Sequence, residues 1–427
     1  MKLLYDISLP GIGYRNKSVS GLIRTAENLL LSLADQQEVD ITLCASLSFE
    51  VLQYSKQYAG QHAALEFAGG EYFRSRFYLQ IGNGKLPPLQ KRIRSRQAVA
   101  KLLRRMLEVK FNPLQGVNIA NFDVYHSPYH ALPRHIRKMR QIPSFLTVHD
   151  IIPLIRPEYF GLPEQFSGRH FDKEYNLFAA VKSLDPESWI ICPSRATRND
   201  LCNYAGRNID HLKTTIIPWA ASSLFYPCSD RERFQRIRRT YNLPEGPYLL
   251  SLSTLEPRKN IEMVIRSFVQ LVRQENLPDL SLVLAGGRGW QYENIFKAIE
   301  NSGNIKNRIV LTGYVADKDL ASLYSNAMAF VYPSFYEGFG LPPLEAMQCG
   351  LPVITSNTSS LPEVVENAGL MMAPNDDDAL CHHILSLYKD NQLRKTQSEK
   401  ALRQSEKFSW EACGRQTAAA YRRALST

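Results

Sequence analysis

Short runs of apolar residues alternate along this chain with segments in which apolar residues recur every three or four positions. In the first half, the apolar runs predict β-strands at residues 2–7, 39–44, 124–126, 144–148 and 189–192. The apolar positions of residues 22–34 lie on one face of a predicted helix. Residues 54–113 are less regular and rich in aromatic and basic side chains. We interpret them as an insertion or a substrate-facing excursion.

The second half shows the same alternation more clearly. Strands are predicted at residues 248–253, 280–285, 308–312, 329–332 and 352–355. Helices are predicted between them at residues 260–274, 292–301, 317–327 and 343–349. Short strands that alternate with helices form parallel sheets with right-handed crossovers, so the predicted fold class is α/β.

The 427 residues suit two large domains, each with its own core. Residues 216–227 contain two prolines and several small residues, which would suit a hinge or a plain interdomain loop. We therefore predict two Rossmann-like domains, residues 1–220 and 221–409. The last helix, within residues 410–427, is expected to pack back onto the first domain.

Composition changes this picture little. With 44% hydrophobic and 22% charged residues the chain is typical of a folded globular protein, and disorder is not favoured. The net charge of +10 suits a surface that meets anions, but it also suits a slightly basic protein. Seven irregularly spaced cysteines without a CxxC pair favour neither disulfides nor zinc, so we expect a reducing cytoplasm. The N-terminal apolar run is too short for a signal peptide.

The segment 332–350, YPSFYEGFGLPPLEAMQCG, carries the strongest chemical signal. It follows a predicted strand and opens a predicted helix, whose N-terminus favours an anion. Gly338 and Gly340 would allow a sharp turn and a close approach to a ligand. Glu345 would project from the first helical turn toward a ribose diol, and Glu337 toward the hydroxyls of a sugar. The alternative is a tight turn whose glutamates are solvated.

Three further strand ends carry candidate residues. Arg258 and Lys259 follow the strand at 248–253, where two cations could neutralise a diphosphate. His149 and Asp150 follow the strand at 144–148, although a lone histidine is more often structural. In the segment 20–27, SGLIRTAE, Gly21 and Arg24 could face a ligand, or Ser20 could simply cap a helix. Residues 11–19 are expected to form extra loop before it.

These segments together resemble the retaining, GT-B-fold glycosyltransferases of family 4. Glu337 and Glu345 match the family's E-x7-E signature, and Arg258 with Lys259 resembles its diphosphate clamp. Many members carry a further arginine after a glycine at the strand end, where this chain has Ser253 and Thr254. The clamp would therefore rest on Arg258 and Lys259.

The resemblance implies a role for each candidate residue in a cleft between the two domains. His149, Glu337, Arg258 and Lys259 would act on the reacting sugar and diphosphate, with His149 helping through its carbonyl or ring and Asp150 orienting it or touching the acceptor. Gly21, Arg24 and Asp150 would lie on the acceptor side, where Arg24 would contact a phosphate of acceptor or donor. The donor would be bound by Gly338, Phe339, Gly340, Leu341 and Glu345, and its base by Gly313, Tyr314 and Val315.

The HD-x-x-P form of residues 149–153 is most similar to the mannosyltransferase branch of the family. The implied reaction is retaining transfer of a hexose, chiefly mannose from GDP-mannose, onto a glycan or lipid-linked oligosaccharide in polysaccharide biosynthesis. A UDP-hexose donor is the alternative within the class. Other classes are a sugar phosphorylase, a nucleotide-sugar epimerase, or a basic nucleic-acid-binding protein, although RNA-binding motifs rich in aromatic residues are absent.

No cofactor and no metal are expected. Asp376, Asp377 and Asp378 open a predicted helix, where acidic residues commonly cap, and His382 and His383 lack a ligand set.

Residues 91–110, KRIRSRQAVAKLLRRMLEVK, form a basic amphipathic pattern. Such a helix either packs on the core or lies on an anionic membrane, so a peripheral position at the inner face of the membrane is a second expectation. No partner made of nucleic acid is expected.

Overall fold

The computed structural model describes residues 1–16, 20–62, 65–69, 114, 116–161 and 177–427. Thirteen strands within these residues form two sheets, and every pairing in both sheets is parallel. The first sheet has the order β3-β2-β1-β4-β5-β6-β7. Its strands are β1 (Lys2–Asp6), β2 (Asp40–Cys44), β3 (Glu66–Phe67), β4 (Val124–Ser127), β5 (Ser144–Thr147), β6 (Trp189–Cys192) and β7 (Thr214–Ile216).

The second sheet has the order β10-β9-β8-β11-β12-β13. Its strands are β8 (Tyr248–Leu252), β9 (Ser281–Ala285), β10 (Ile309–Gly313), β11 (Ala329–Tyr332), β12 (Val353–Ser356) and β13 (Leu370–Met372). In each sheet the strand order reverses beside the first strand, as in doubly wound Rossmann folds, where such a switch point is the usual place for a ligand. The predicted α/β class with parallel sheets is confirmed.

Helices connect successive strands, and three more follow the last strand. In the first half they are α1 (Ser8–Asn16), α2 (Gly21–Ala34), α3 (Phe49–Ala59), α4 (Arg134–Arg137), α5 (Ile152–Ile155), α6 (Leu177–Lys182) and α7 (Arg195–Ala205). In the second half they are α8 (Arg231–Tyr241), α9 (Ile261–Gln274), α10 (Glu293–Glu300), α11 (Asp317–Ser325), α12 (Leu341–Gln348), α13 (Leu361–Val365), α14 (Asp377–Lys389), α15 (Asn391–Ser405) and α16 (Trp410–Leu425). Among the described helices, none is both long and apolar enough to cross a bilayer.

The central strands are buried on both faces, which explains their continuous apolar runs. Residues Leu3 to Tyr5 of β1 and Leu249 with Leu250 of β8 are fully enclosed. Helices then need only one apolar stripe, as in α9, where Met263, Val264 and Phe268 are buried. This burial stabilises the two sheets. Polar side chains that could bind a ligand are therefore confined to the ends of the strands.

Helix α1 contradicts the expectation that residues 11–19 form a loop, at least over the described residues 11–16. Its sequence contains Pro10, Gly11 and Gly13, which weaken a helix considered alone. The helix crosses α3 so closely that a Cβ on Gly11 would lie 2.1 Å from Oγ of Ser55. Tertiary packing therefore stabilises a helix that local propensity disfavours.

The segment 54–113 is also more regular at its start than predicted. Residues 54–59 belong to α3, and β3 adds an edge strand beside β2. The predicted basic helix at 91–110 lies outside the described residues.

The two sheets are joined by residues 217–230, which contain no helix or strand. This linker is not exposed throughout, because Ile217, Trp219 and Phe225 are buried. The Trp219 ring stacks on Trp410 at the start of α16, with centroids 6.1 Å apart. The chain passes between the two sheets at this linker and again just before α16, and these two crossings meet at one aromatic contact. Below, the first sheet with α1 to α7 is called the first unit, and the second sheet with α8 to α15 the second unit. The exact domain boundary stays a prediction.

Helix α16 lies against α2 of the first unit. A Cβ on Gly414 would be 2.5 Å from the carbonyl oxygen of Ser32, so the two helices approach closely. The buried Tyr421 hydroxyl is 2.5 Å from Nδ1 of His126, whose Nε2 is 2.8 Å from Oγ1 of Thr147. The last helix thus contributes to the core of the first unit.

Candidate functional site

The carboxyl ends of the two sheets line a cleft of about 570 Å³. The crevice between β8 and β11 contributes most of the second-unit wall, and the ends of β1 and β5 lead to the opposite wall. Fourteen of the fifteen predicted site residues line this cleft: Gly21, Arg24, His149, Asp150, Arg258, Lys259, Tyr314, Val315, Glu337, Gly338, Phe339, Gly340, Leu341 and Glu345. Gly313 is not among the lining residues.

Glu337 is the centre of a buried ionic cluster. Its Oε2 is 2.9 Å from Nη1 of Arg258, and its Oε1 is 2.6 Å from Nζ of Lys259. The hydroxyls of Tyr332 and Ser334 also donate to Oε1, at 2.9 and 2.6 Å. Both carboxylate oxygens are therefore held in place by partners from the turn that follows β8, from β11 and from the loop that follows β11.

The electrostatics of this cluster favour an ionised Glu337. Burial alone would raise the pKa of its carboxyl group, but the charges of Arg258 and Lys259 outweigh burial and lower the pKa to about 2. A carboxylate with this pKa cannot serve as a general acid near neutral pH. Its hydrogen bonds also hold it against the two cations, so it orients them.

Arg258 and Lys259 occupy a 3-10 turn, Pro257–Lys259, that ends at Asn260. Asn260 adopts a left-handed conformation (φ 57°), which asparagine tolerates better than most residues, and its amide donates to the carbonyls of Pro333 and Pro374. This tight turn directs both basic side chains into the cleft.

The two cations of this turn respond differently to burial. Burial lowers the pKa of Lys259, and the neighbouring Arg258 charge adds to that effect. For Arg258 burial acts in the same direction, but the carboxylates of Glu337 and Glu256 outweigh it and raise the pKa. Glu256 lies 2.7 Å from Nη2 of Arg258, and burial raises its own pKa against the opposing charge of Arg258. Arg258 thus stays positively charged and forms ion pairs with the carboxyl groups of Glu256 and Glu337.

Helix α12 begins directly after this cluster. Its N-cap, Gly340, has φ 118°, a conformation that residues with a Cβ rarely adopt. Pro342 and Pro343 follow Leu341 and carry no N–H, so Gly340 and Leu341 supply the backbone donors at the helix start. The N-terminus of α12 therefore favours a bound anion at a position next to Arg258 and Lys259.

Glu345, on the first turns of α12, meets a residue from the opposite wall. Its Oε1 is 3.6 Å from Nη2 of Arg24, and its Oε2 accepts the Tyr324 hydroxyl at 3.2 Å. Arg24 also pairs with Asp317, at 3.2 Å. Burial raises the pKa of Glu345, while the Arg24 charge opposes that shift. Arg24 consequently lies at the Glu345 side of the cleft, and Ser20 caps its helix through the N–H of Ile23.

His149 comes from the end of β5 and is oriented by a backbone group. Its Nε2 lies 2.8 Å from the carbonyl oxygen of Pro128, to which it donates when the ring is neutral. Burial lowers the pKa of His149 to about 4, although that hydrogen bond favours the protonated form. The ring also packs against Trp219, at a centroid distance of 5.6 Å. At neutral pH His149 is therefore an uncharged ring.

The Asp150 carboxylate accepts the N–H of Ile152 at 3.1 Å, whereas the His149 ring is bonded to the carbonyl of Pro128. Asp150 lies beside the second unit. A Cβ on Gly338 would be 2.7 Å from Cβ of Asp150. Burial raises the pKa of Asp150, and the charge of Arg258 opposes that rise. Asp150 thus faces the loop that carries Glu337.

The expected base-binding loop follows β10. Tyr314 is two-thirds exposed and Val315 is buried, and both line the cleft. The Gly313 carbonyl accepts the N–H of Gly286 at 2.9 Å, so Gly313 positions the neighbouring loop from outside the cleft. Gly286 itself has φ 130°, and a Cβ there would lie 1.9 Å from the carbonyl oxygen of Ser253. These glycines allow two strand-end loops to lie side by side.

Several residues around the site had no role predicted from the sequence. Glu256, Asp317, Trp219, Tyr332 and Ser334 lie around the predicted residues and bind or enclose them. Tyr332 and Ser334 belong to the segment 332–350, which carried the strongest chemical signal. The others are brought in by the fold.

Asp376, expected to cap a helix, accepts the N–H of Ala379 at the start of α14.

Comparison with known proteins gives these residues a context. The model of the family described as Glycosyl transferases group 1 matches residues 233–404, which contain Arg258, Lys259, Glu337 and Glu345. O-antigen chain mannosyltransferase B of Escherichia coli is 38% identical over 299 residues, which are 70% of this chain and 74% of that protein. The serotype-specific mannosyltransferase WbdA of Escherichia coli is 34% identical over 266 residues, 61% of this chain but 31% of WbdA.

A comparison with solved structures supports the fold. Sucrose-phosphate synthase from Thermosynechococcus elongatus superposes with a TM-score of 0.65 at 21% identity, covering 100% of this chain and 99% of that chain. The likeness confirms the predicted GT-B fold.

Proposed function

Because this chain belongs to the group 1 family of glycosyl transferases, we propose that it transfers mannose from GDP-mannose to a growing glycan. That the chain is a glycosyltransferase follows from the family. The observation that carries the finer proposal is the cleft itself. It sets Glu337, Arg258 and Lys259 on one wall and His149 on the other.

The donor diphosphate would lie between Arg258, Lys259 and the start of α12. Arginine can bind phosphate oxygens through two N–H groups, and lysine adds a compact charge. A free N–H at Leu341 and the helix dipole add to this positive field. The ribose would reach Glu345, whose carboxyl group is suited to accept two hydroxyl hydrogen bonds.

The sugar would lie between Glu337 and His149. Glu337 is fixed by four partners, so its backbone and carboxylate can position sugar hydroxyls with little loss of entropy. Mannose is favoured because the relatives named above are mannosyltransferases and because residues 149–153 have the HD-x-x-P form. A UDP-hexose is the second candidate donor.

We propose that transfer retains the anomeric configuration by attack on the same face through an oxocarbenium-like state. The surroundings of Glu337 support this proposal. Both its carboxylate oxygens are bound by cations and hydroxyls, so neither is well placed to act as a nucleophile. The acceptor hydroxyl would attack the anomeric carbon as the bond to the phosphate oxygen breaks. That phosphate oxygen would take the acceptor proton, and Arg258 and Lys259 would stabilise its charge.

The same arrangement suggests that transfer proceeds without a bound metal. Arg258, Lys259 and the start of α12 would supply the positive charge that a divalent ion provides at other diphosphate sites. Activity that is unchanged by a strong chelator would support this part of the proposal. Loss of activity with chelator, restored by a divalent ion, would contradict it.

The acceptor would be a glycan or a lipid-linked oligosaccharide of polysaccharide biosynthesis, and the place of action the cytoplasm. All seven cysteines are unpaired and buried, which suits a reducing compartment. Peripheral binding at the inner face of a membrane through residues 91–110 remains part of the proposal. Those residues lie outside the described structure.

A thermal-shift screen with GDP, GDP-mannose, UDP and UDP-glucose tests the donor. A ligand at 100 times its Kd stabilises the folded protein by about 2.7 kcal/mol, so GDP-mannose should raise Tm clearly. The variant Lys259→Gln is the matched control and should show a smaller shift. A shift with UDP-glucose alone would overturn the assigned base, and no shift with any nucleotide would overturn the assigned site.

The product then tests the mechanism. An anomeric configuration opposite to that of the donor, measured by NMR of the glycan formed, would refute retention. The alternative of a nucleic-acid-binding protein makes its own prediction, namely strongly salt-dependent binding to unrelated duplexes.

A further inference from the structure

The N-terminus of α7, in the first unit, contacts the loop of residues 336–340 in the second unit, which we call the site loop. The hydroxyl of Ser194, the N-cap of α7, donates to the carbonyl oxygen of Gly338 at 2.6 Å. The hydroxyl of Thr197 donates to the same oxygen at 2.9 Å. Both side chains are buried, so a shift of Gly338 would leave the Ser194 hydroxyl without its acceptor and the Thr197 hydroxyl with only a longer bond of 3.4 Å to the carbonyl oxygen of His149.

A second contact fastens the same end of the helix. The carboxylate of Glu363, in the second unit, accepts the N–H groups of Arg195 and Ala196, both at 2.8 Å. These amides belong to the first turn of α7 and have no partner within the helix. A negative charge at a helix N-terminus is also favoured by the dipole. Glu363, a residue of the second unit, therefore caps the N-terminus of α7 in the first unit.

The segment that carries Glu363 also supports the site loop from behind. The Ser360 hydroxyl donates to the carbonyls of Glu337 and Phe339, at 2.9 and 2.7 Å. The Ser359 hydroxyl accepts the N–H of Glu337 at 2.9 Å. The backbone of Glu337 is thus held between Ser359 and Ser360 while the next residue is bound by α7.

The contact continues one turn further along α7. The Tyr336 hydroxyl lies 2.9 and 2.8 Å from the two carboxylate oxygens of Asp200. Residues 336 and 338 of the site loop therefore both bind α7, and residue 337 between them faces Arg258 and Lys259. This alternation means that movement of α7 is transmitted to both neighbours of Glu337.

We propose that Glu363 and Ser194 are positioning residues, which dock α7 on the site loop and so set the place of Glu337 when the cleft is closed. Neither residue lines the cleft, so neither would touch the donor. They act through Gly338, Ser360 and the amides of α7. The proposal rests on the proposed function only in assigning Glu337 to the sugar.

Hydrogen exchange measured by mass spectrometry tests the docking in the full chain, without any substrate. In Glu363→Ala, we expect about tenfold faster exchange both at the start of α7 and in peptides that cover residues 336–340. The control is Glu366→Ala, which removes an exposed acid that directly follows α13 and pairs with Lys407. Unchanged exchange of the site loop in folded Glu363→Ala would overturn the proposal, even if α7 itself exchanged faster.

Steady-state kinetics with the donor found in the thermal-shift screen give a second test. Ser194→Ala and Glu363→Ala should lower kcat about tenfold and leave the donor KM within about twofold. Ser194→Thr keeps the hydroxyl and should restore kcat. A kcat equal to that of the parent in both alanine variants would overturn the proposal. A parent that binds no nucleotide sugar would instead count against the proposed function, and the exchange result would still decide the docking.

Discussion

The carbonyl oxygen of His149 lies so close to Gly338 that a Cβ atom on Gly338 would be 2.5 Å from it. The two residues belong to opposite walls of the cleft, so the walls meet backbone to backbone beside the proposed sugar site. Gly338 has no left-handed φ, and the need for glycine here comes from this close approach. Closure of the cleft and the identity of residue 338 are therefore linked.

We expect Gly338→Ala to lower kcat about 100-fold, because the added methyl group would hold the two walls apart and misplace Glu337. The measurement is the rate of mannosyl transfer at saturating donor and acceptor. Gly60→Ala is a suitable control, since its φ is −63° and the new Cβ would make ordinary contacts of 3.4 Å or more. Equal rates in both variants would show that the walls do not need this approach.

Glu337→Gln should lower kcat by about 100-fold and destabilise the fold, because Arg258 and Lys259 would lose their shared anion. Breaking a buried ion pair typically costs about 3–5 kcal/mol, which denaturant unfolding can measure. The donor KM should change less than kcat. Glu300→Gln, which removes an exposed acid paired with Lys306, should alter neither quantity. A Glu337→Gln enzyme with the parent's kcat would contradict the proposed role.

Glu345→Ala should weaken nucleotide binding, because the ribose would lose the carboxyl partner that we propose for it. Loss of one hydrogen-bonding partner costs about 1–3 kcal/mol, so Kd should rise about 5- to 150-fold. Titration calorimetry with GDP measures this directly. The companion variant Tyr324→Phe removes the hydroxyl that holds Glu345 and should have a smaller effect in the same direction. An unchanged Kd in folded Glu345→Ala would remove Glu345 from the nucleotide site.

Arg24 distinguishes two interpretations of the first strand–helix turn. Since it pairs with Glu345 and Asp317, we expect Arg24→Gln to change the donor KM severalfold and leave the acceptor KM nearly unchanged. The measurement is a full two-substrate kinetic analysis. A change confined to the acceptor KM would place Arg24 on the acceptor side, as the family resemblance implied.

The sequence predicted the parallel strands and the cleft residues well because both have strong local signals. Enclosed strands need apolar runs, and the turn between Glu337 and Glu345 needs glycine and proline at fixed places. Helix α1 was missed because its glycines and proline oppose a helix locally. Its stability comes from close packing on α3, which lies some forty residues away.

The electrostatic partners of the site could not be predicted for a different reason. Glu256 and Asp317 are ordinary acidic residues in the sequence, and each acquires its role when the fold places an arginine beside it. Trp219 was hidden in a segment interpreted as a hinge, although its ring is buried between His149 and Trp410. Contacts of this kind depend on tertiary structure.

Acid should destabilise the protein through His126. Burial, with some help from the charge of His149, lowers the pKa of His126 to about 3, whereas the unfolded residue titrates near 6.5. The unfolded state therefore binds more protons between these values, so this contribution to stability is complete above about pH 6.5 and is lost as the pH falls toward 3. From pH 7 to pH 5 the loss is about 2 kcal/mol.

Urea unfolding at both pH values checks this contribution. His126→Asn should be less stable than the parent at pH 7 and should lose about 2 kcal/mol less than the parent between pH 7 and pH 5. The comparison of slopes isolates His126 from the acidic groups of the cleft. Equal pH dependence in the two proteins would contradict the assignment.

The contact of Tyr421 with His126 has a consequence for the order in which the chain folds. Helix α16 fills the surface of the first unit beside α2, yet its residues follow the whole second unit in the sequence. During synthesis the N-terminal portion of a protein leaves the ribosome first and begins to fold there. In this chain the surface of the first unit that α16 covers would stay exposed until the second unit had been synthesised. The part of the protein that is synthesised first would therefore be among the last to reach its native packing.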